Sequence, residues 1–270
     1  MDLDKIINVN NNLFKRILSI IVLFPIYFYS IISDNFLAIL IILITSLLLS
    51  FEWFSITQKS IKTSNIFLFT ILIIINIFFS NKFNLFFSII LTIFLSTLFL
   101  PKLLYKNHSY KNSSWLFYGF IFISIPLIFF LKIKELENGS YLLLWTFLVI
   151  CTTDIFSYLF GNLIKGPKIF PKLSPSKTYS GTFLGLLSGT LIGFLFSYKY
   201  LNLIDLYSLF FLSLIISLFG LLGDLLISKV KRIFNVKDSG NFLPGHGGFL
   251  DRYDSISFGL IIVFFIQYFL

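Results

Sequence analysis

Charge is scarce in this chain: 12% of its 270 residues are charged, about half the share found in soluble domains. With 57% hydrophobic residues and a mean hydropathy of +0.93, a soluble globular fold is excluded. A single cysteine, Cys151, rules out an internal disulfide and, with only two histidines, any Cys/His zinc spacing. It lies in an apolar run and reads as a small packing residue. No Walker A loop or Rossmann fingerprint occurs, so neither of those phosphate cradles is available. Acidic residues number 12 against 21 basic ones, for a net charge of +9. Arginine supplies only 3 of the 21 and lysine 18. With many Asn and Ile, this matches AT-rich coding, so lysine content by itself says little. Nucleic acid is not the expected partner. The basic residues sit in short loops between apolar runs, where they act as topology signals and contacts to anionic headgroups.

Those apolar runs fall at 17–32, 36–54, 66–80, 83–100, 115–131, 141–160, 181–198, 206–227 and 255–270. A helix needs ~20 residues to cross a bilayer, so the expected fold is an all-α, polytopic integral membrane protein with about nine transmembrane helices. The 66–100 stretch also reads as one re-entrant pair. Asp2 and Asp4 precede the first run and no small-residue cleavage site follows it, which predicts a retained span rather than a signal peptide. Residues 1–140 then form the N-terminal helices, about five spans, and 141–270 a C-terminal catalytic region, together one membrane domain. With the N-terminus inside, 17 of the 21 basic residues fall on the inner side, leaving Lys82, Lys132, Lys134 and Lys199 outside. The positive-inside rule therefore places the 161–180 and 228–254 loops on the cytoplasmic face. In the first half, Glu52 beside Trp53 reads as an interfacial residue, with a site role as the alternative. His108, in a short basic loop, reads as solvated.

The polar residues the chain does have are concentrated. Asp224, Lys229, Lys231, Arg232, Lys237, Asp238, His246, Asp251, Arg252 and Asp254 fall between Gly223 and Asp254, with Pro244 and several glycines. Carboxylates hold divalent metal, Lys and Arg hold phosphate, and glycines let a backbone approach a ligand. Together they point to chemistry on a phosphate-bearing substrate. Two of the three arginines lie here, and the guanidinium fork suits phosphate. Asp251 and Asp254 are three apart, so a helical turn brings them to one face.

A second cluster opens at Asp154, inside an apolar run, with Tyr158 four residues later on the same helical face. An intramembrane carboxylate is expensive and by default functional. The plainer reading is an Asp hydrogen-bonded to a neighbouring helix. Asp154, Asp224, Asp251 and Asp254 all stand near the inner ends of their spans, so they converge on one membrane depth. Ser174, Pro175, Ser176, Lys177 and Thr178, followed by Gly181, lead into the seventh run. This segment can present N–H groups, hydroxyls and a lysine to an anion, or serve as an ordinary Pro-rich connection with an N-cap.

The runs Ser228-Lys-Val-Lys-Arg232, Lys237-Asp238, Pro244-Gly-His-Gly-Gly248 and Asp251-Arg-Tyr-Asp254 closely resemble the signature of phosphatidate cytidylyltransferases, the CDP-diacylglycerol synthases. A second pattern of that family is an Asp, a Tyr and glycines, then Ser-Pro-x-Lys-Thr and a Gly. Asp154, Tyr158, Gly161, Ser174, Pro175, Lys177, Thr178 and Gly181 match it. Members often carry an aromatic, commonly Trp, and then Glu before that Gly. Here they are Tyr179 and Ser180, so no acidic role is assigned at 180. The resemblance covers residues 145–255 with specific motifs and the remainder only by hydropathy.

The resemblance implies transfer of CMP from CTP to phosphatidic acid, releasing pyrophosphate, in phospholipid biosynthesis. The implied setting is a bacterial-type inner (plasma) membrane, with the active-site loops cytoplasmic and a homodimer open as an assembly. Implied metal ligands for Mg²⁺, as one or two cations, are Asp224, Asp251 and Asp254, with Asp154 next. Lys177, Lys231, Arg232, Lys237 and Arg252 would hold phosphates, with Ser174, Thr178 and Ser228 as further substrate contacts. Gly245, Gly247 and Gly248 would let the loop bend and expose N–H groups. Asp238 either binds metal or pairs with a lysine. His246 either shuttles a proton or serves a structural or phosphate-contacting role. A CTP-dependent polyprenol or lipid kinase would share the carboxylates and basic residues. A transporter would gather its polar groups near the bilayer midplane instead.

Overall fold

The computed structural model describes residues 25–267 apart from 26, 34, 59–62, 100–109, 202–204, 241 and 243–246. Residues 27–32 are helical. Then come α1 (Asn35–Thr57), α2 (Thr63–Lys82), α3 (Leu85–Phe94, running on as a π turn Leu95–Phe99), α4 (Tyr110–Lys134) and α5 (Gly139–Leu163). A hairpin of β1 (Lys168–Phe170) and β2 (Ser174–Thr178) follows, and then α6 (Tyr179–Tyr200), α7 (Leu206–Ile233) and α8 (Leu250–Ile266). The expected segments from 36–54 to 255–270 each fall on a described helix, whereas most of 17–32 lies outside the described residues.

Among the described residues, five helices are long and apolar enough to cross a membrane: Phe36–Thr57, Ser114–Lys134, Gly139–Leu163, Tyr179–Tyr200 and Leu206–Ile233. Ser64–Ser80 and Phe86–Thr97 are shorter apolar helices. The bundle is apolar outside as well as inside. Phe36, Phe86, Phe183 and Tyr207 are more than two-thirds exposed, while Ser46, Ser50, Ser213 and Ser217 are fully buried. Such a surface suits lipid. The inward hydroxyls close on their own helices, as Ser50 Oγ does on the Ser46 carbonyl at 2.6 Å. This is a multi-pass membrane protein.

Three features position the site. The first is a seam between α5 and α6, where Gly181, Gly185, Gly189 and Gly193 recur every fourth residue on the buried face of α6. A Cβ at Gly185 would lie 2.8 Å from Ser157 N, and one at Gly189 3.0 Å from Val149 O. Only glycine allows helices so close. The second is the hairpin, a correction to the expected Pro-rich turn: Lys168 pairs with Thr178 and Phe170 with Ser174, antiparallel. Pro175 is tolerated because a two-stranded sheet consists only of edges. Thr178 then caps α6, accepting from Gly181 N at 3.1 Å.

The third feature is α8, which packs against α4, α5 and α7. Its Tyr253, 2% exposed, donates its hydroxyl to the Ile123 carbonyl at 3.0 Å. That carbonyl lies one turn before Pro126, a proline inside α4. At the other end of the bundle, Asp205 caps α7, accepting from the Ser208 hydroxyl at 2.7 Å and the Ser208 amide at 3.2 Å. These bonds hold its carboxyl below the usual range.

Candidate functional site

One polar cavity, about 240 Å³, opens at the end of the bundle that carries the hairpin. Its wall takes Asp154, Ser157, Tyr158 and Asn162 from α5, Ser176, Lys177 and Thr178 from β2, and Thr182 from α6. Asp224 of α7 and Asp251, Arg252, Asp254 and Ser255 of α8 complete it. The α5 members stand three or four residues apart along one helical face. The glycine seam sets α6, and β2 just ahead of it, close beside that face. Asp251 and Asp254 stand one turn apart in α8, as their spacing predicts.

Electrostatics divides the carboxylates into two kinds. Lys177 Nζ pairs with Asp224 Oδ2, and Ser228 Oγ donates to Asp224 Oδ1 at 3.2 Å. Lys231, 8% exposed and outside the cavity wall, reaches Asp251 Oδ1 at 2.6 Å. Asp251 Oδ2 accepts the amides of Ser239 and Gly248, each at 3.0 Å. Gly247 makes this approach possible with a φ of +85°, where a side chain would be strained. Asp154 and Asp254, by contrast, have no lysine or arginine within ion-pair distance among the described residues. Arg252 reaches the cavity without an ion-pair partner there, and its Nε is buried with no hydrogen bond. A guanidinium with an unsatisfied N–H at the cavity wall is a group suited to holding an anion.

The other expected site residues are placed differently. Arg232 lies outside the cavity wall, donating Nε to the Leu173 carbonyl at 3.2 Å and Nη1 to the Val236 carbonyl at 3.1 Å. It ties the hairpin turn to the C-terminal end of α7. Lys237 and Asp238 are exposed on the loop after α7. Ser174 Oγ meets only Ser176 Oγ, at 3.5 Å. Gly245 and His246 lie outside the described residues. Ser157 and Asn162 join the wall without having been expected, although their spacing from Asp154 puts them on its face. Glu52 is buried against Ser239, Phe249 and Leu250.

Four aspartates thus stand with three basic side chains, Lys177 and Arg252 on the wall and Lys231 behind Asp251. The donors are all hard oxygens, the set that holds Mg²⁺ in preference to softer metals. As the side chains stand, no three described His, Cys, Asp or Glu side chains are close enough to chelate an ion. By chemistry the set fits a divalent cation. Among the described residues, Asp154 and Asp254 are the carboxylates of this set without an ion-pair partner, while Asp224 and Asp251 are held by Lys177 and Lys231.

Comparison with known proteins follows this geometry. A model of the cytidylyltransferase family matches residues 14–270. A phosphatidate cytidylyltransferase of Staphylococcus aureus (strain COL) is 35% identical over 139 residues, 52% of this chain and 53% of that protein. One from Rickettsia bellii (strain RML369-C) is 33% identical over 159 residues, 57% of this chain and 69% of that protein. One from Staphylococcus saprophyticus is 37% identical over 124 residues, 46% and 48% of the two chains. The chain spans about half the length of the staphylococcal relatives it matches. Since the family match runs through every segment that builds the cavity, this chain belongs to the cytidylyltransferase family.

Proposed function

We propose that the cavity transfers CMP from CTP to phosphatidic acid, giving CDP-diacylglycerol and pyrophosphate. One observation supports this most directly: four carboxylates, a lysine paired with one of them and an arginine without an ion-pair partner, from two separate motifs, line one cavity. An oxygen of the lipid phosphomonoester attacks the α-phosphorus of CTP. The new P–O bond forms as the bond to the bridging oxygen of pyrophosphate breaks. A phosphomonoester with a second pKa near ~6 is already ionised, so no general base is required. The difficulty is electrostatic: two anions must meet and a third must leave.

In this reading Lys177 leaves Asp224 for a phosphate, and Arg252 takes phosphate oxygens through its planar fork. Lys231 stays on Asp251 and keeps that carboxylate aimed at the cavity. Mg²⁺ held by Asp154, Asp224, Asp251 or Asp254 would neutralise charge on the departing pyrophosphate. Thr178 and Ser157 offer hydroxyls at the wall. The protein is read as crossing the inner membrane of a bacterial-type cell about nine times, with the cavity cytoplasmic, as the basic-residue census supports.

The test separates this reaction from a CTP-dependent kinase, which needs the same cations. Purified protein given phosphatidic acid, Mg²⁺ and CTP labelled at the α-phosphorus should move label into lipid. CTP labelled at γ should not. Label entering lipid from γ would overturn the assignment.

A further inference from the structure

Glu52 stands in α1, in the half of the chain that carries none of the motif residues, and its side chain is fully buried. A carboxylate so placed is expensive unless hydrogen-bonded or paired. Among the described residues it has no cation within ion-pair distance. Its bonds run to the loop before α8 instead. The Phe249 amide donates to Oε1 at 2.7 Å, the Leu250 amide to Oε2 at 2.7 Å, and Ser239 Oγ to Oε2 at 3.0 Å.

Those amides open α8 and have no acceptor within their own helix. The N-cap residue, Phe249, supplies no side-chain cap. Glu52 therefore caps α8 from a different helix, placing negative charge where a helix start favours it. The loop is shaped to let it in. A Cβ at Gly240 would lie 2.8 Å from Oε1, and one at Gly248 would overlap Ser239 Oγ and Oε2. Ser239 links this carboxylate to the cavity, because its hydroxyl serves Glu52 while its amide serves Asp251.

We propose that Glu52 is a positioning residue for the cavity: it holds Ser239 and the start of α8 at Phe249 and Leu250, and so fixes Asp251 and Arg252 at the wall. The kinetic part of the proposal rests on the nucleotidyl-transfer reading; the structural part does not. If the clamp is loosened, substrate must restore these contacts as it binds. Apparent affinity then falls by the fraction of molecules that keep them, while the saturated enzyme turns over nearly as before.

The test uses the full chain in detergent or nanodiscs, with hydrogen exchange and steady-state kinetics on the same samples. Glu52→Gln keeps the volume and one acceptor but loses the charge. Amides at 239, 249 and 250 should exchange about tenfold faster, the scale of a lost hydrogen bond to a charged group, with α5 and α6 unchanged. The KM for CTP should rise as the competent population falls, while kcat stays within about threefold. Gly240→Ala presses on the carboxylate from the loop side, so it should give the same pattern and add little to Glu52→Gln in the double variant. It also carries the test if Glu52→Gln does not fold.

Unchanged exchange at 249 and 250 in both variants overturns the clamp. Faster exchange spread evenly through α5 and α6 also overturns it, leaving a purely stabilising role. A collapse of kcat with exchange unchanged would place the carboxylate in the reaction itself and likewise overturn it. If the wild-type protein moves no label from α-labelled CTP, the functional reading fails while exchange still decides the clamp.

Discussion

Two lysine–aspartate pairs serve the cavity, and their surroundings set different costs. The Lys231–Asp251 side chains are 10% and 9% exposed, those of Lys177 and Asp224 16% and 25%. Removing one partner of a buried pair strands the other charge. Lys231→Met should therefore lower stability by about 3 kcal/mol, read as an earlier thermal unfolding midpoint of the solubilised protein. Asp224→Asn opens the more accessible pair, at a cost of about 1 kcal/mol or less, yet should remove nearly all turnover with insertion intact. Near-normal turnover of Asp224→Asn would make that carboxylate structural. Residues like Asp224 and Asp154 are legible in sequence because a charge in an apolar run has few cheap explanations. Arg232 and Glu52 are not. Their partners are backbone carbonyls and amides, which every position carries, and Glu52 finds them 197 and 198 residues away.

At the scale of elements, the α5–α6 seam decides how far apart Asp154 and Lys177 stand. On α6, Phe183, Leu187, Leu191 and Leu195 turn outward with the same four-residue step by which the glycines turn inward. Gly185→Val would drive a side chain into Ser157 and should cost about 2 kcal/mol, with activity lost as the helices separate. Leu195→Ala, on the outward face at 63% exposure, should stay within about 0.5 kcal/mol. Paired thermal melts and label-transfer assays would check both, and equal losses would mean that the seam is not special. The helices themselves were readable from hydropathy, and the glycine step was there to be read. The hairpin was not, because Ser-Pro-Ser-Lys-Thr has low strand propensity. Its pairing is held from outside by Arg232 on the Leu173 carbonyl and by the cap of α6.

For the molecule as a whole, the hairpin and the loop before α8 flank one cavity, so they must open to the same side of any membrane the bundle crosses. In a Cys151→Ser background, cysteines at Ser176 and Asp238, both exposed, should be labelled from one side only. A cysteine at the exposed Glu137, in the turn between α4 and α5, should be labelled from the other. Ser176 and Asp238 reacting from opposite sides would break the shared site. The hydropathy pattern could count spans but not say how each is turned about its own axis, since an all-apolar helix shows no preferred face. For α8 the azimuth is set by Tyr253. Successive residues differ by about 100° around a helix, so Arg252 and Asp254 flank an aromatic keyed into α4 beside Pro126. A slip of one position either way would put Arg252 or Asp254 where Tyr253 now packs, inside the apolar interior. The half of the chain with no motif thus acts as an indexing detent for the helix that has one.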